Sequence, residues 1–317
     1  MKRKHLSLLV LAFIFSRPSL ANIPGLSSAY TSQLAGTRNL LAQTQLLNDD
    51  TPATCRQQLL NISSDNVIDI TLAFGYMDVS QGQEASDSFY QRGDVLDQDA
   101  KDAFETILTS SCLREHNFAC GFRKSGGYLV KRLRNRLTGR NMQVNIQLLA
   151  PSVTSDDSQN KNRYLAEQQQ SSQQVRGRFM SALQTADAVI YLGHARSGGG
   201  PDFSPPVLTA NGHVDYSYYR HEQAGIKSML AALNQASRPP ALLGLLACKS
   251  TDLFSRSVRR ASPGSILVSA DSLFDYNDIL PTGFAMLEAV ISQRCSDDFE
   301  KVIRIQPSSA RFIDIGF

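Results

Sequence analysis

Two short apolar segments of this chain each end on a residue that can take part in nucleophilic catalysis. The first segment, Ala188 to Gly200, carries His194, and the second, Ala241 to Ser250, carries Cys248. Both have the composition of buried strands, and the glycines or polar residues that follow predict that the strands end there. An open α/β sheet places its ligands at the carboxyl ends of its strands. If the two strands are parallel neighbours, a thiol and an imidazole meet at that edge and could act as nucleophile and general base.

The rest of the chain alternates segments with the patterns of strands and helices. Strands are predicted at residues 67–76, 143–150, 188–194, 241–248, 265–270 and 301–305. Helices are predicted between them, near residues 99–109, 175–183, 222–236 and 282–293, and from about residue 252. Wholly apolar strands that alternate with helices are typical of a parallel sheet covered on both faces. We therefore expect an α/β fold with a mostly parallel, six-stranded sheet and helices on both faces.

The first 21 residues have the three parts of a secretory signal peptide. Basic residues 2–4 precede the apolar run Leu6 to Phe15, and Ser19 to Ala21 fit a small-residue cleavage site. The apolar run is shorter than the ~20 residues that a membrane-spanning helix needs. We therefore expect an exported protein, periplasmic or secreted after cleavage near Ala21, without stable membrane insertion. Residues 22–60 show no sustained period and predict an irregular N-terminal extension, so one large domain would occupy residues 61–317.

The five cysteines fit an oxidising compartment with one thiol left over. Four of them could pair in three ways. Cys248 follows an apolar run deep in a predicted central strand, so we expect it to stay reduced. The expected disulfides are then Cys112 with Cys120 and Cys55 with Cys295, although the sequence does not determine the connectivity. The alternative is that all five are small buried residues.

Net charge and composition point to no particular partner. The chain has a formal net charge of +3 and is 42% hydrophobic, which is ordinary for a globular protein and gives no argument for a nucleic-acid partner. The one markedly basic stretch runs from Arg123 to Arg140. Its leucines at positions 129, 133 and 137 predict an amphipathic helix with a charged outer face. That face could be solvated, or it could contact an anionic polymer or a membrane surface.

The order of the two catalytic candidates resembles that of a known family. An apolar strand ending in His194, a helix, and a second apolar strand ending in Ala247 and Cys248 is similar to the caspase-fold cysteine peptidases of clan CD, which include caspases, metacaspases, legumain, gingipain, clostripain and separase. The two residues lie about 50 positions apart, as in caspases. In that fold the third strand carries the histidine and the fourth the cysteine, as predicted here. The resemblance covers residues 67–305 in topology and about twenty residues in motif.

The resemblance implies a caspase-like peptidase domain, with a role for each candidate. Cys248 would be the nucleophile, and His194 the general base that later protonates the leaving amine. The backbone N–H groups of Cys248 and Ala195 would form the oxyanion hole. The family usually has glycine after the histidine, so Ala195 is a departure that puts catalytic competence in question. No cofactor is implied, and no metal is expected because His116, His213 and His221 show no ligand spacing.

The substrate would be a peptide or protein, and one loop is a candidate for recognising it. Residues 269–278 follow the fifth predicted strand and contain Ser269, Asp271 and Asp275. An acidic pocket there would select arginine or lysine before the scissile bond. The alternative is a solvated loop in which Asp271 or Asp278 caps a helix.

Two other functions use the same residues. A transpeptidase or transamidase would form the same thioester at Cys248 and differ only in what attacks it. A degenerate member of the family would keep the fold and bind peptides or protein partners without catalysis. The Ala195 departure favours the degenerate protein, whereas retention of both His194 and Cys248 favours the enzyme.

Overall fold

The computed structural model describes residues 26–43, 62–78, 94–113, 118–273, 275–294, 296–304 and 313–316. Its strands are β1 (Val67–Phe74), β2 (Arg123–Ser125), β3 (Tyr128–Arg134), β4 (Asn141–Leu149), β5 (Ala188–Leu192), β6 (Leu242–Leu246), β7 (Ile266–Ala270) and β8 (Ile313–Gly316). Its α-helices are α1 (Leu26–Leu41), α2 (Asp97–Thr109), α3 (Asp157–Lys161), α4 (Leu165–Thr185), α5 (Tyr216–Glu222), α6 (Ala224–Gln235), α7 (Arg256–Ala261), α8 (Tyr276–Ile291) and α9 (Ser296–Ile303).

The strands of the described residues form a single sheet in the order β2-β3-β4-β1-β5-β6-β7-β8. The five central strands, β4 to β7 in this order, are mutually parallel. The hairpin β2–β3 and the strand β8 are antiparallel additions at the two edges. The predicted α/β class with a mostly parallel sheet is confirmed, but the strand number is wrong, because the structure has eight strands rather than six.

Apolar residues cover both faces of the sheet. One core contains Phe104 of α2 and Phe284 of α8, whose rings are 6.0 Å apart between centroids. The other contains Phe179 of α4 and Tyr191 of β5, at 6.1 Å. The prediction of helices on both faces is therefore confirmed. Within the described ranges, no helix is both long and apolar enough to cross a membrane.

The basic stretch that was predicted as a helix forms strands β2 and β3. Residues four apart share a face in a strand as well as in a helix, because four is also a multiple of the strand period of two. The deciding signal is Gly126–Gly127, where φ is 58° and 86°. Positive φ at both central residues is what a two-residue hairpin turn needs and what a helix does not tolerate.

Both ends of the chain also differ from the predictions. The extension expected to be irregular contains α1, whose residues Leu26, Tyr30 and Leu34 recur at helical spacing and are buried. The strand predicted at residues 301–305 is wrong, because residues up to Ile303 belong to α9 and the last strand is β8. The predicted signal peptide, residues 1–21, lies outside the described residues.

Cysteine pairing follows the prediction where it is described. Cys112 and Cys120 form a disulfide with a Cα–Cα distance of 5.2 Å. Cys248 is half-buried and is in no disulfide. The second predicted pair, Cys55 with Cys295, lies outside the described residues.

Candidate catalytic site

The register of β5 and β6 brings His194 and Cys248 to equivalent positions on neighbouring strands. Leu192 pairs with Leu246 at the end of the two parallel strands, and each candidate lies two residues beyond that pair. The N–H of Gly193 donates to the carbonyl of Leu246 over 3.1 Å, which continues the pairing by one residue. Both residues therefore leave adjacent strands at the carboxyl edge of the sheet, where the sequence places them.

The imidazole of His194 is held through one of its two nitrogens. Its Nε2 lies 3.2 Å from the backbone oxygen of Asp78, 3.4 Å from Asp78 Oδ1 and 3.0 Å from the hydroxyl of Tyr276. A carbonyl and an ionised carboxylate only accept hydrogen bonds, so we assign the proton to Nε2. In this tautomer Nδ1 keeps its lone pair and can accept a proton from a thiol.

Asp78 stays ionised although it is buried, because a cation lies against it. The Asp78 side chain is fully buried, and Arg196 Nη2 donates to its Oδ1. Burial alone would raise the pKa of Asp78, but the charge of Arg196 and the hydrogen bond with His194 hold that pKa well below its usual range. Burial likewise opposes the charge of Arg196, and the carboxylates of Asp78 and Asp202 outweigh it and raise the Arg196 pKa. His194 is therefore held against a permanent negative charge.

A second layer of hydrogen bonds fixes the backbone beside the imidazole. Asp202 accepts from Arg196 Nε over 3.1 Å and from the Tyr219 hydroxyl over 3.1 Å. The Tyr191 hydroxyl donates to the carbonyl of His194 and accepts from the N–H of Asp202, each over 3.0 Å. The position of His194 thus depends on residues from β5, the loop after it and α5.

Glycine is required immediately before the histidine by close packing. A Cβ at Gly193 would lie 2.6 Å from the Tyr191 hydroxyl. A Cβ at Gly75, which follows β1, would come even closer to the same hydroxyl. Any side chain at either glycine would displace the phenol that holds the carbonyl of His194.

Tyr276 is a further neighbour of the imidazole. It is the first residue of α8, and its hydroxyl contacts His194 Nε2. Burial raises the pKa of Tyr276 well above its usual value, and the negative charge of Asp78 adds to this effect. The phenol therefore stays protonated and neutral beside the imidazole.

A tight turn follows Cys248. Lys249 has a φ of 54°, a left-handed conformation that is uncommon for a residue with a side chain, and its N–H donates to the carbonyl of Ser272 over 2.9 Å. The Ser250 hydroxyl donates to the carbonyl of Leu245 over 2.6 Å and accepts from the N–H of Ala270 over 2.8 Å. These bonds tie the turn to β6 and β7, so the strand end that carries Cys248 is fixed on two sides.

The alanine after His194 adopts an ordinary backbone conformation. Ala195 has φ of −78° and ψ of −16°, which alanine adopts as easily as glycine. The left-handed residues come next, at Arg196 and Ser197, with φ of 45° and 51°. In the part of the chain that is described, the N–H of Ala195 donates to no acceptor. The departure from the family pattern therefore introduces no strain at position 195 and leaves an N–H donor there.

The three residues predicted to recognise substrate lie in different environments. Ser269 is buried in β7, and its hydroxyl lies 2.8 Å from Thr251 Oγ1, so it supports the segment after Cys248. Asp275 caps α8 by accepting from the N–H of Asn277 over 2.8 Å. Asp271 is exposed just past β7. The helix cap expected at Asp271 or Asp278 is therefore Asp275, and Asp278 lies inside the first turn of α8.

Sequence reasoning missed the residues that surround the imidazole. Asp78 lies four residues beyond β1, and the pairing of β1 with β5 brings it to His194. A search for polar residues just past the first strand would have found it, because the carboxyl ends of parallel strands meet at one edge. Arg196 also gave a signal in the sequence, because it lies two positions after His194. A charge buried so close to the site needs a carboxylate partner, which could have been sought. Tyr276 gave no signal, because α8 reaches this edge only through the fold.

The described part of the chain shows no candidate metal site, and the comparisons with known proteins find no match. Among the described residues, no three side chains of His, Cys, Asp or Glu come together as a possible metal site. No protein-family model and no curated protein matches the sequence, and no solved structure matches the fold.

Proposed function

We propose that this protein is a cysteine-type endopeptidase of caspase-like fold, with Cys248 as the nucleophile and His194 as the general acid and base. The observation that carries the proposal is the pairing of Leu192 with Leu246, which sends the two residues out of adjacent parallel strands at the same level. The hydrogen bonds of His194 Nε2 to Asp78 supply the orienting group that such a pair needs.

The first half of the reaction forms a thioester. Nδ1 of His194 takes the proton of Cys248, and the thiolate attacks the carbonyl carbon of the scissile peptide bond. The negative charge that develops on the carbonyl oxygen is stabilised by the N–H groups of Ala195 and Cys248. The imidazolium, stabilised by the charge of Asp78, then gives its proton to the leaving amine, and the C–N bond breaks.

The second half releases the acid product. Water attacks the thioester, His194 takes one proton from that water, and the thiolate of Cys248 leaves as the carboxylic acid forms. The proton returns to the thiolate, so the enzyme ends in its initial state. Tyr276 stays neutral throughout and keeps a polar contact on Nε2. The predicted signal peptide supports an exported enzyme, active in a periplasm or outside the cell.

The proposal is tested by labelling the thiol with substrate-like probes. The purified protein would be treated with peptidyl acyloxymethyl ketones carrying arginine, lysine, asparagine or aspartate, and the adduct mapped by mass spectrometry. We expect one adduct, on Cys248, that is lost in Cys248→Ala and weakened at least about 100-fold in His194→Ala. Tyr218→Phe, at an exposed position on α5, is the matched control and should label like the wild type.

Two outcomes would contradict the peptidase. Absence of an adduct with every probe, in protein shown to be folded, would favour a protein that binds peptides in its cleft without activating the thiol. Labelling of Cys248 with equal rates in the wild type and in His194→Ala would show a reactive thiol that His194 does not assist. If an acyl-enzyme forms and an added amine resolves it faster than water does, the protein is a transpeptidase with the same pair of residues.

A further inference from the structure

A positively charged surface lies on the hairpin formed by β2 and β3, which the proposed chemistry does not use. The register of β2 and β3 puts Arg123, Arg132 and Arg134 on one side of the sheet, opposite the side on which Leu129 is buried. All three side chains are exposed. We call these three residues the arginine face.

The charges of the arginine face are not neutralised by any carboxylate among the described residues. In the described ranges, none of its three guanidinium groups lies within ion-pair distance of a carboxylate. Arg134 makes one hydrogen bond, from Nε to the carbonyl of Gly139 over 3.0 Å. On the other side of the hairpin, Lys124 does pair with Glu105. Among the described residues, the hairpin therefore carries unneutralised charge on the side of the arginine face, whereas Lys124 on the other side has a carboxylate partner.

Amide side chains continue this surface across the next strand. On β4 the polar residues that face the same way as the arginine face are Asn141, Gln143, Asn145 and Gln147. Between this side of the sheet and α4 lies a groove of about 380 Å³. Its lining includes Tyr128, Thr71 and the exposed Arg178 of α4. One carboxylate, that of Asp69, lines the groove, and its Oδ1 accepts from Asn145 Nδ2 over 2.8 Å.

We propose that the arginine face and this groove bind an extended, acidic polypeptide segment. Alternate side chains of an extended chain are spaced by about 6.6 Å, which is also the spacing of Arg132 and Arg134 along β3. A segment with an acidic residue at every second position can therefore meet both arginines in register. Each guanidinium matches a carboxylate with two parallel hydrogen bonds. The amide of Gln147 can donate to and accept from the peptide groups of the same segment. Asn145 is held in place between Asp69 and Gln143, whose Nε2 donates to Asn145 Oδ1 over 2.9 Å.

Two other anionic occupants fit the surface less well. Single-stranded nucleic acid is held by stacking of successive bases on aromatic rings, and Tyr128 is the aromatic residue on this side of β2, β3 and β4. A peripheral membrane site adds exposed apolar side chains that enter the lipid. Here the aliphatic residues on this side of β2, β3 and β4 are Val130, which is half-buried, and Leu149, which is buried in the core. The surface is rich in guanidinium and amide groups, which suits a polypeptide ligand.

The test measures binding of a labelled peptide to the full chain. A ten-residue peptide of alternating glutamate and serine is compared with the matched glutamine–serine peptide by fluorescence anisotropy, at about 50 and 200 mM salt. The double variant Arg132→Gln/Arg134→Gln removes two charges from the arginine face. Arg256→Gln/Arg260→Gln, at exposed positions on α7, removes two charges elsewhere and is the matched control. Phosphatidylglycerol vesicles and a thymidine oligonucleotide are tested in parallel.

We expect the acidic peptide to bind the wild type and the control, and to bind the arginine-face variant about tenfold more weakly. Binding should weaken with salt, and the glutamine peptide should not bind. The proposal is overturned if the acidic peptide does not bind at low salt, or if the control variant loses as much affinity as the arginine-face variant. Tighter binding of the oligonucleotide or the vesicles, lost in the same variant, would also overturn it. None of these readouts depends on peptidase activity, so this proposal and the proposed function can fail separately.

Discussion

Arginines occupy two contrasting settings in this molecule. Arg196 is 2% exposed in its side chain and lies between two carboxylates, those of Asp78 and Asp202. Arg132 is exposed on the hairpin and has no carboxylate partner within the described residues. The charge of Arg196 stabilises the fold and the group behind the imidazole, whereas the charge of Arg132 is available to a binding partner. The residue type alone therefore says little, and burial and pairing decide which use is made of the charge.

The comparison predicts very different costs for the same substitution. Arg196→Met leaves two buried carboxylates without their cation and should lower the free energy of unfolding by about 3–5 kcal/mol. Arg132→Met removes an exposed charge and should change it by less than about 0.5 kcal/mol. Urea denaturation monitored by circular dichroism measures both. Equal losses of unfolding free energy in the two variants would show that Arg196 does not stabilise the fold more than Arg132 does.

A buried carboxylate without a cation provides the opposite case to Asp78. Asp97 is fully buried at the start of α2, its Oδ2 accepts from the N–H of Ser152, and its Oδ1 has no hydrogen-bond partner among the described residues. Burial raises the pKa of Asp97 to about 7. Because this folded-state pKa lies above the unfolded value, the stability that the neutral form contributes is fully present below about pH 4 and is lost as the pH rises through about 7.

Asp97→Asn keeps the acceptor and removes the charge. The stability difference between variant and wild type should grow between about pH 4 and 7, by about 4 kcal/mol at most. The measurement is denaturant unfolding of both proteins across that range. A difference that stays constant with pH would contradict the raised pKa. The Asp78 carboxylate has its pKa lowered, so the sign reverses, and its contribution is present above about pH 4 and lost at lower pH.

Asp78→Asn tests whether the charge behind His194 serves the reaction. The amide can donate to Nε2 and so permits the other tautomer, so we expect kcat on a peptide substrate to fall about 100-fold with little change in KM. Nitrogen chemical shifts of His194 report the tautomer without reference to activity. Asp215→Asn, at the N-cap of α5, is the matched control because asparagine caps equally well. Unchanged shifts and unchanged kcat would remove Asp78 from the site.

Tyr276→Phe should have a smaller effect. The variant keeps the ring and loses one neutral hydrogen bond to Nε2, so we expect kcat to fall about fivefold to tenfold. Tyr216→Phe, at an exposed position on α5, should behave like the wild type. If Tyr276→Phe raised kcat instead, the phenol would be restraining His194 rather than positioning it.

The sequence predicted the fold well where one period explains each segment. Strands β1, β4, β5, β6 and β7 are wholly or alternately apolar, and their positions agree with the predictions to within about two residues. The helix predicted over the basic stretch was wrong because leucines at positions 129 and 133 fit the strand period as well as the helix period. The strand predicted at residues 301–305 is part of α9, whose buried Phe299 and Val302 are three residues apart.

The candidate site divides in the same way. His194 and Cys248 could be found because each ends an apolar strand, a local signal. Asp78 and Tyr276 come from elements far away in the chain, and strand order brings them to the imidazole. Their types carry no mark of that role, since most aspartates after a strand are solvated and a tyrosine in a helix usually packs. Residues that act through tertiary neighbours need the topology before they can be recognised.

The phenol of Tyr191, which packs against Gly75 and Gly193, bears on the energetics of the peptide cleavage that we propose. Its hydroxyl fixes the His194 carbonyl before any substrate arrives, and Asp78, Arg196 and Asp202 are in place in the same state. The dipoles and charges around the imidazole are therefore preorganised, and the free energy of arranging them is spent once, when the chain folds. Each catalytic cycle would then proceed with little reorganisation of the polar groups behind the histidine.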